Sequence, residues 1–296
     1  MPSNEQRRQA AKRKLERQLA RRVERAKRRK RNMALGSGIA VVVVLLVVFG
    51  IVFLTSNHGT SSAAGTTTTT AAPPPKTTSG PCKYTSTPTQ PAPKGKDEGM
   101  PSDPKTTPNT GTVTVTLQTS QGDIPMTLDR AQAPCTVQSM VYLAQKGYFD
   151  ATPCHRLTAD PTLKVLQCGD PTGTGQGGPG YTIPDETPKN LKPAPTTTPQ
   201  PQGEPAFDIY PAGTIAMANT GQPHSGGSQF FLVYGDTQLP PQYTVFGTVG
   251  SAGMTTLNKI AAGGIIPGTD PQSGQPTPAD GKPKLSVNIS KAVVSS

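Results

Sequence analysis

The sequence predicts a mainly β domain, a closed antiparallel barrel capped at its ends by two helices, carried behind a single transmembrane helix and a disordered stalk. Three observations predict it. From Gly111 onward apolar residues alternate in short runs, the pattern of half-buried strands. Residues 135–146 and 252–262 read as helices between those strands. Residues 33–54 form a run of 22 residues without a charge, directly behind a basic tail.

The chain has 296 residues with 33 Pro and 31 Gly, too many turn formers for packing throughout. Part of it is linker. The net charge of +11 resides in the basic tail, residues 1–32, which hold 14 Lys and Arg against three Glu. The remainder is formally neutral, which excludes bulk electrostatic attraction of the globular part to nucleic acid. The tail has no aromatic side chain for base stacking, so no nucleic-acid partner is expected.

Residues 33–54 (MALGSGIAVVVVLLVVFGIVFL) span about 33 Å as a helix, enough for a bilayer core. The run is longer than the core of a cleaved signal peptide and follows a longer leader. It reads as an uncleaved single-pass anchor in the cell membrane. The Arg/Lys block keeps the N-terminus cytoplasmic and places the rest of the chain outside, so the domain is extracytoplasmic. Leu15, Leu19, Val23 and Ala26 share one helical face of the tail, which suits it to lie on the anionic inner leaflet. Residues 55–110, dominated by Thr, Ser, Pro, Ala and Gly, form the stalk.

Residues 111–296 form the domain. Val113, Val115 and Leu117 alternate, then Ile124, Met126 and Leu128 after a turn at Gln121 and Gly122, which makes a β-hairpin. Val137, Met140, Val141 and Ala144 have helical spacing, with Pro134 near the start and Gly147 past the end. Short strands follow at residues 154–157, 165–168, 213–218, 229–234 and 244–249. After the second helix comes a last strand in which Leu285, Val287 and Ile289 alternate. The Pro/Gly/Thr-rich stretches 184–206 and 263–283 read as insertions.

Four cysteines, all in the exported part, predict two disulfides. Cys154 and Cys168 sit on successive strands that should pair, leaving Cys82 in the stalk for Cys135 at the helix start. The spacing is not of zinc-finger type and no His cluster accompanies it, so no metal and no cofactor are expected. No His lies in a triad context that would make a thiol catalytic.

Five blocks carry a more specific signal: CHRL at 154–157, VLQCGDPTGTGQGGPG at 165–180, MANTG at 217–221, GSQFFLVY at 227–234 and LPPQYTVFGTV at 239–249. Together they closely resemble the signature of the cyclophilins, peptidyl-prolyl cis-trans isomerases, over roughly residues 112–294. The resemblance implies a closed eight-stranded barrel and proline-containing polypeptides as partners. It makes Arg156 the catalytic arginine and Gln167 its polar partner. Val165, Phe231 and Leu239 become walls of a proline pocket, with Phe230 in the core. Ala218 and Asn219 become the strand edge that binds the peptide backbone, Gln229 stands beside them, and Tyr243 sits at the rim. His155 takes a packing and hydrogen-bonding place behind the site. The stalked layout is similar to membrane-anchored actinobacterial members labelled isomerase B.

Those residue types suit the chemistry. Rotation about a prolyl imide is slow because the C–N bond is partly double, with a barrier of about 18–20 kcal/mol. No bond breaks, so the task needs an apolar grip on the ring and a donor that weakens the conjugation as the bond twists. A guanidinium is permanently charged and presents its donors in a fixed fork. Two departures from the family pattern stand out. Lys164, with Leu163 beside it, holds the place of a pocket Phe, and three extra residues separate Arg156 from Gln167. These departures favour, as the rival reading, a non-catalytic peptide-binding module or chaperone at the cell envelope.

Overall fold

Alternating side chains build the first hairpin. β1 (Thr112–Thr119) and β2 (Gly122–Asp129) pair antiparallel around a turn at Ser120 and Gln121. Val113, Val115 and Leu117 lie opposite Leu128, Met126 and Ile124, and all six are buried. One face of the hairpin is therefore apolar and seeks a cover. The computed structural model describes residues 78–195, 206–270 and 273–295. The basic tail, residues 33–54 and the first part of the stalk lie outside the described residues. Among the described residues no helix is long and apolar enough to cross a membrane.

Helix α1 (Pro134–Gln145) buries Val137, Met140, Leu143 and Ala144, and starts on Pro134, whose missing N–H costs nothing in a first turn. The remaining strands are β3 (Thr152–Pro153), β4 (Arg156–Thr158), β5 (Val165–Cys168), β6 (Thr214–Met217), β7 (Phe230–Val233) and β8 (Val245–Val249). Helix α2 (Ser251–Ala262) follows, then β9 (Ile265–Thr269), β10 (Pro276–Pro283) and β11 (Asn288–Ser295). They form one antiparallel sheet in the order β9-β10-β4-β5-β7-β6-β8-β2-β1-β11-β3.

This corrects the closed eight-stranded barrel. The ladder has eleven strands in an open order, and Cys154 and His155 carry the chain from β3 at one end of it to β4, third from the other end. Cys154 N–H donates to Val287 O at 2.9 Å beside β11, and His155 N–H donates to Gln167 O at 3.0 Å in β5. Those two donors serve different strands, one beside β11 and one in β5, so no continuous ladder forms there.

The stretch 263–283, expected as an insertion, is largely the hairpin β9–β10, which extends the sheet beyond β4. The last strand begins at Asn288, later than expected, and a register shift between Ile289 and Lys291 moves Ala292 into the core. Of residues 184–206, Lys192–Pro193 pairs with Asp208–Tyr210, which pairs with Thr237–Leu239 in a small separate sheet.

The distal end of the expected stalk is packed on the domain. Cys82 and Thr107 are buried, and Tyr84 Oη donates to Cys135 O at 2.8 Å. Lys96 Nζ donates to Gly147 O and Asp150 O at 3.0 and 2.7 Å, serving carbonyls just past the end of α1. Both expected disulfides form, Cys82–Cys135 and Cys154–Cys168.

Candidate active site

Strand alternation divides the apolar residues between two clusters. Along β7, Phe230 and Leu232 point into the main core, where Phe230 meets Phe149 and Phe246 edge to face. Phe231 and Val233 point to the opposite face, into a second cluster with Val165, Tyr210, Ala216 and Val245. On β5, Leu166 and Cys168 face the core while Val165 joins the second cluster.

The register aligns the polar residues with this second face. Arg156 pairs with Gln167, Gln167 with Phe231, Phe231 with Ala216, and Ala216 with Val245, one row across five strands. Residues far apart in the chain thus stand side by side on a rigid sheet.

Over this row lies a cavity of about 220 Å³ lined by Arg156, Leu163, Val165, Gln167, Ala218, Asn219, Phe231, Leu239 and Tyr243. All the site residues named from the sequence line it except Gln229, which reaches it through Gln167. Leu163 supplies the wall at the place where the sequence substitutes Lys164. The Lys164 side chain packs instead over Gly235, where a Cβ would collide with its Cδ at 2.6 Å. Phe231 meets Tyr243 edge to face at 5.6 Å, and Tyr243 meets Tyr210 at 6.4 Å, which braces the aromatic wall. Asn219 Nδ2 donates to Gln242 O at 3.1 Å, and Ala218 N–H donates to Gln229 O at 2.9 Å.

A directed chain of hydrogen bonds crosses the site. Arg156 donates from Nε and Nη2 to the two carboxylate oxygens of Asp280 at 2.8 and 2.7 Å, and from Nη1 to Gln167 Oε1 at 3.2 Å. Gln167 Nε2 donates to Gln229 Oε1 at 2.9 Å, and Gln229 Nε2 donates to Gly175 O and Gly177 O at 3.0 and 2.9 Å. Each amide is oriented by its neighbours, so Gln167 must present its oxygen to Arg156. The bonds to Asp280 raise the Arg156 pKa, burial opposes them, and the guanidinium remains charged. It has five N–H donors, of which these bonds take three.

Asp280 was not named from the sequence. It lies in a Pro/Gly-rich stretch without alternation, and nothing local marks it. His155 lies behind the row, and burial lowers its pKa. Both its ring nitrogens are buried without a hydrogen-bond partner among the described residues, so only the packing part of its expected place is present. Among the described residues no cluster of His, Cys, Asp and Glu is arranged to hold a metal ion.

The family model described as cyclophilin type peptidyl-prolyl cis-trans isomerase matches residues 114–294. The chain is 46% identical to a probable peptidyl-prolyl cis-trans isomerase B of Mycobacterium leprae over 317 residues, covering 98% of both chains. It is 44% identical to a protein of the same description from Mycobacterium tuberculosis over 216 residues, 72% of this chain and 63% of that one. A crystal structure of a Cryptosporidium parvum cyclophilin type isomerase matches with a TM-score of 0.46 at 27% identity, covering 63% of this chain and 99% of that chain. On the family match and the near full-length relative, the chain belongs to the cyclophilin-type peptidyl-prolyl cis-trans isomerases.

Proposed function

We propose that this chain is a membrane-tethered isomerase that binds extended X-Pro segments of exported proteins and accelerates their cis-trans interconversion outside the cytoplasm. The observation that carries the catalytic part is a charged guanidinium, held by Gln167, at the wall of an apolar-sided cavity. Phe231, Val165, Leu163 and Leu239 grip the prolyl ring, while Ala218 and Asn219 hold the backbone. Arg156 retains two N–H donors, one of which bonds the imide as it twists and loses conjugation. Such a bond helps only if it is stronger in the twisted state, and every tenfold in rate requires about 1.4 kcal/mol of that difference. Gln167 keeps the guanidinium in place during rotation.

The placement outside the membrane rests on residues 33–54 as the anchor, on the basic tail facing the anionic inner leaflet, and on two disulfides that suit an oxidising compartment. Protease accessibility of the domain on intact cells tests it: protection of the domain counts against the topology.

A second reading, a non-catalytic peptide-binding module, is favoured by one observation, Lys164 in the place of a pocket Phe, which leaves that part of the wall to Leu163 alone. The two readings part on an X-Pro peptide assay of the full chain in detergent beside its Arg156→Ala variant. A rate well above the variant supports the isomerase, and equal rates leave only the binding module.

A further inference from the structure

We propose that Asp280, delivered by the hairpin β9–β10, is a positioning residue for Arg156. This rests on the catalytic reading of Arg156 given above and extends it to a residue that touches no substrate.

The hairpin is built to hold this carboxylate. β10 pairs with β4 through Asp280 opposite Thr158 and Gly281 opposite Leu157, next to Arg156 in the strand. Ala159 N–H donates to Ala279 O at 2.8 Å, and Thr277 Oγ1 donates to Asp280 O at 2.6 Å, so the backbone on each side of the carboxylate is fixed. Gly281 allows the tight approach of β9 at the irregular register between Pro267 and Gly268. A Cβ there would stand 2.1 Å from Ile266 O and 2.6 Å from Gly268 N, and backbone cannot yield to it.

Asp280 takes Nε and Nη2 of Arg156 in a fork-to-fork arrangement, which fixes the plane as well as the position of the guanidinium. Gln167 alone, through one 3.2 Å bond, leaves that plane free to swivel. Both partners of the ion pair are 39% exposed, so water screens their attraction, and the benefit is geometric rather than a gain in stability. A donor displaced by about 1 Å forfeits much of its effect on a reacting group.

The experiment measures isomerisation and peptide binding for the full chain, for Asp280→Ala, Asp280→Asn and Asp280→Glu, and for Asp280→Ala combined with Arg156→Ala. Asp280→Ala and Asp280→Asn should lower kcat/KM roughly tenfold with peptide Kd changed less than about twofold, since each tenfold is about 1.4 kcal/mol in the transition state. Asp280→Glu should restore part of the rate. In the Arg156→Ala background, removal of Asp280 should change nothing further, because both act through one guanidinium. A wild-type rate equal to that of Arg156→Ala overturns the catalytic reading and this proposal with it. A fast wild type with an equally fast, folded Asp280→Asn overturns this proposal alone. So does a loss of rate that is the same with and without Arg156, which assigns Asp280 to the hairpin's integrity.

Discussion

Gln167 stands directly opposite Arg156 across β4 and β5 and accepts a hydrogen bond from its Nη1 at 3.2 Å, while its own amide nitrogen is committed to Gln229. The amide is thus locked with its acceptor toward the guanidinium. Gln167→Ala should reduce kcat/KM about tenfold, the scale of one transition-state hydrogen bond. Gln229→Ala should have a smaller effect in the same direction, because it releases the Gln167 rotamer without removing it. Steady-state rates on an X-Pro peptide check both, and a Gln229→Ala loss exceeding that of Gln167→Ala would contradict the relay.

The two disulfides should separate stability from activity. Cys154–Cys168 closes a 14-residue separation across the strands that carry Arg156 and Gln167, with Cys168 next to Gln167 in the chain. Its loss, as Cys154→Ser with Cys168→Ser, should cost about 3 kcal/mol and also slow isomerisation. Cys82–Cys135 closes a separation of 53 residues at the start of α1, and neither cysteine lines the cavity. Its loss should cost about 4 kcal/mol while the folded protein keeps its rate. Denaturant unfolding and the peptide assay on each double variant decide the matter.

Acid should destabilise the fold in two windows. Burial lowers the His155 pKa, Asp170 opposes and Arg156 adds to it, and the net value lies below the usual imidazole value. The unfolded chain then takes up a proton near pH 6.5 that the folded one refuses, so this stability is fully present above about pH 6.5 and is lost as pH falls toward the depressed folded value. Burial pushes Asp170 up, but hydrogen bonds from Thr172, Gly177 and Gly175 outweigh it and hold the carboxyl below its usual range. Its contribution is present above about pH 4 and is lost as pH falls through the depressed value. Urea midpoints from pH 8 to 3 should show the upper decline directly and the lower one as a difference from Asp170→Asn, because Glu186, its pKa raised by burial, acts with the opposite sign in acid. His155→Asn should remove the upper decline only. Persistence of the upper decline in His155→Asn would assign it elsewhere.

What the sequence made legible, and what it hid, divides along physical lines. β1 and β2 bury one face each, so their alternation is written locally, whereas β7 buries both faces and only its motif separates Phe230 from Phe231 in the sequence. β9 and β10 bury almost nothing, with Pro283 alone fully covered, and are held by ladder hydrogen bonds to β4. Composition therefore reads as a loop, and Asp280 is hidden with it. The open ladder was equally illegible, because it depends on where the two backbone donors of Cys154 and His155 go. The segment 80–110 docks through separate anchors, Cys82, Tyr84 and Lys96, which have no period to detect.

The last prediction concerns how α1 begins. No side chain at Ala133, its N-cap position, serves the exposed backbone donors of the first turn. Glu186 does so from 50 residues away: its carboxylate accepts from Cys135 N–H at 3.0 Å, Thr136 N–H at 2.9 Å and Thr136 Oγ1 at 2.7 Å. Burial raises the Glu186 pKa, and those three bonds oppose the rise. Its own N–H donates to Thr244 Oγ1 at 2.9 Å, beside the cavity residue Tyr243, so the cap also ties the helix to the chain entering β8. Charged acceptors at a helix N-terminus benefit from the helix dipole as well as the bonds. Glu186→Ala should therefore cost about 2 kcal/mol, or roughly 4–8 °C in Tm for a domain of this size, with Glu186→Gln in between. Cys135 is both capped by Glu186 and bridged to Cys82, so Glu186→Ala combined with loss of that disulfide should deviate from additivity by more than about 0.5 kcal/mol. Additive effects in denaturant unfolding would show that the cap and the bridge hold the helix start independently.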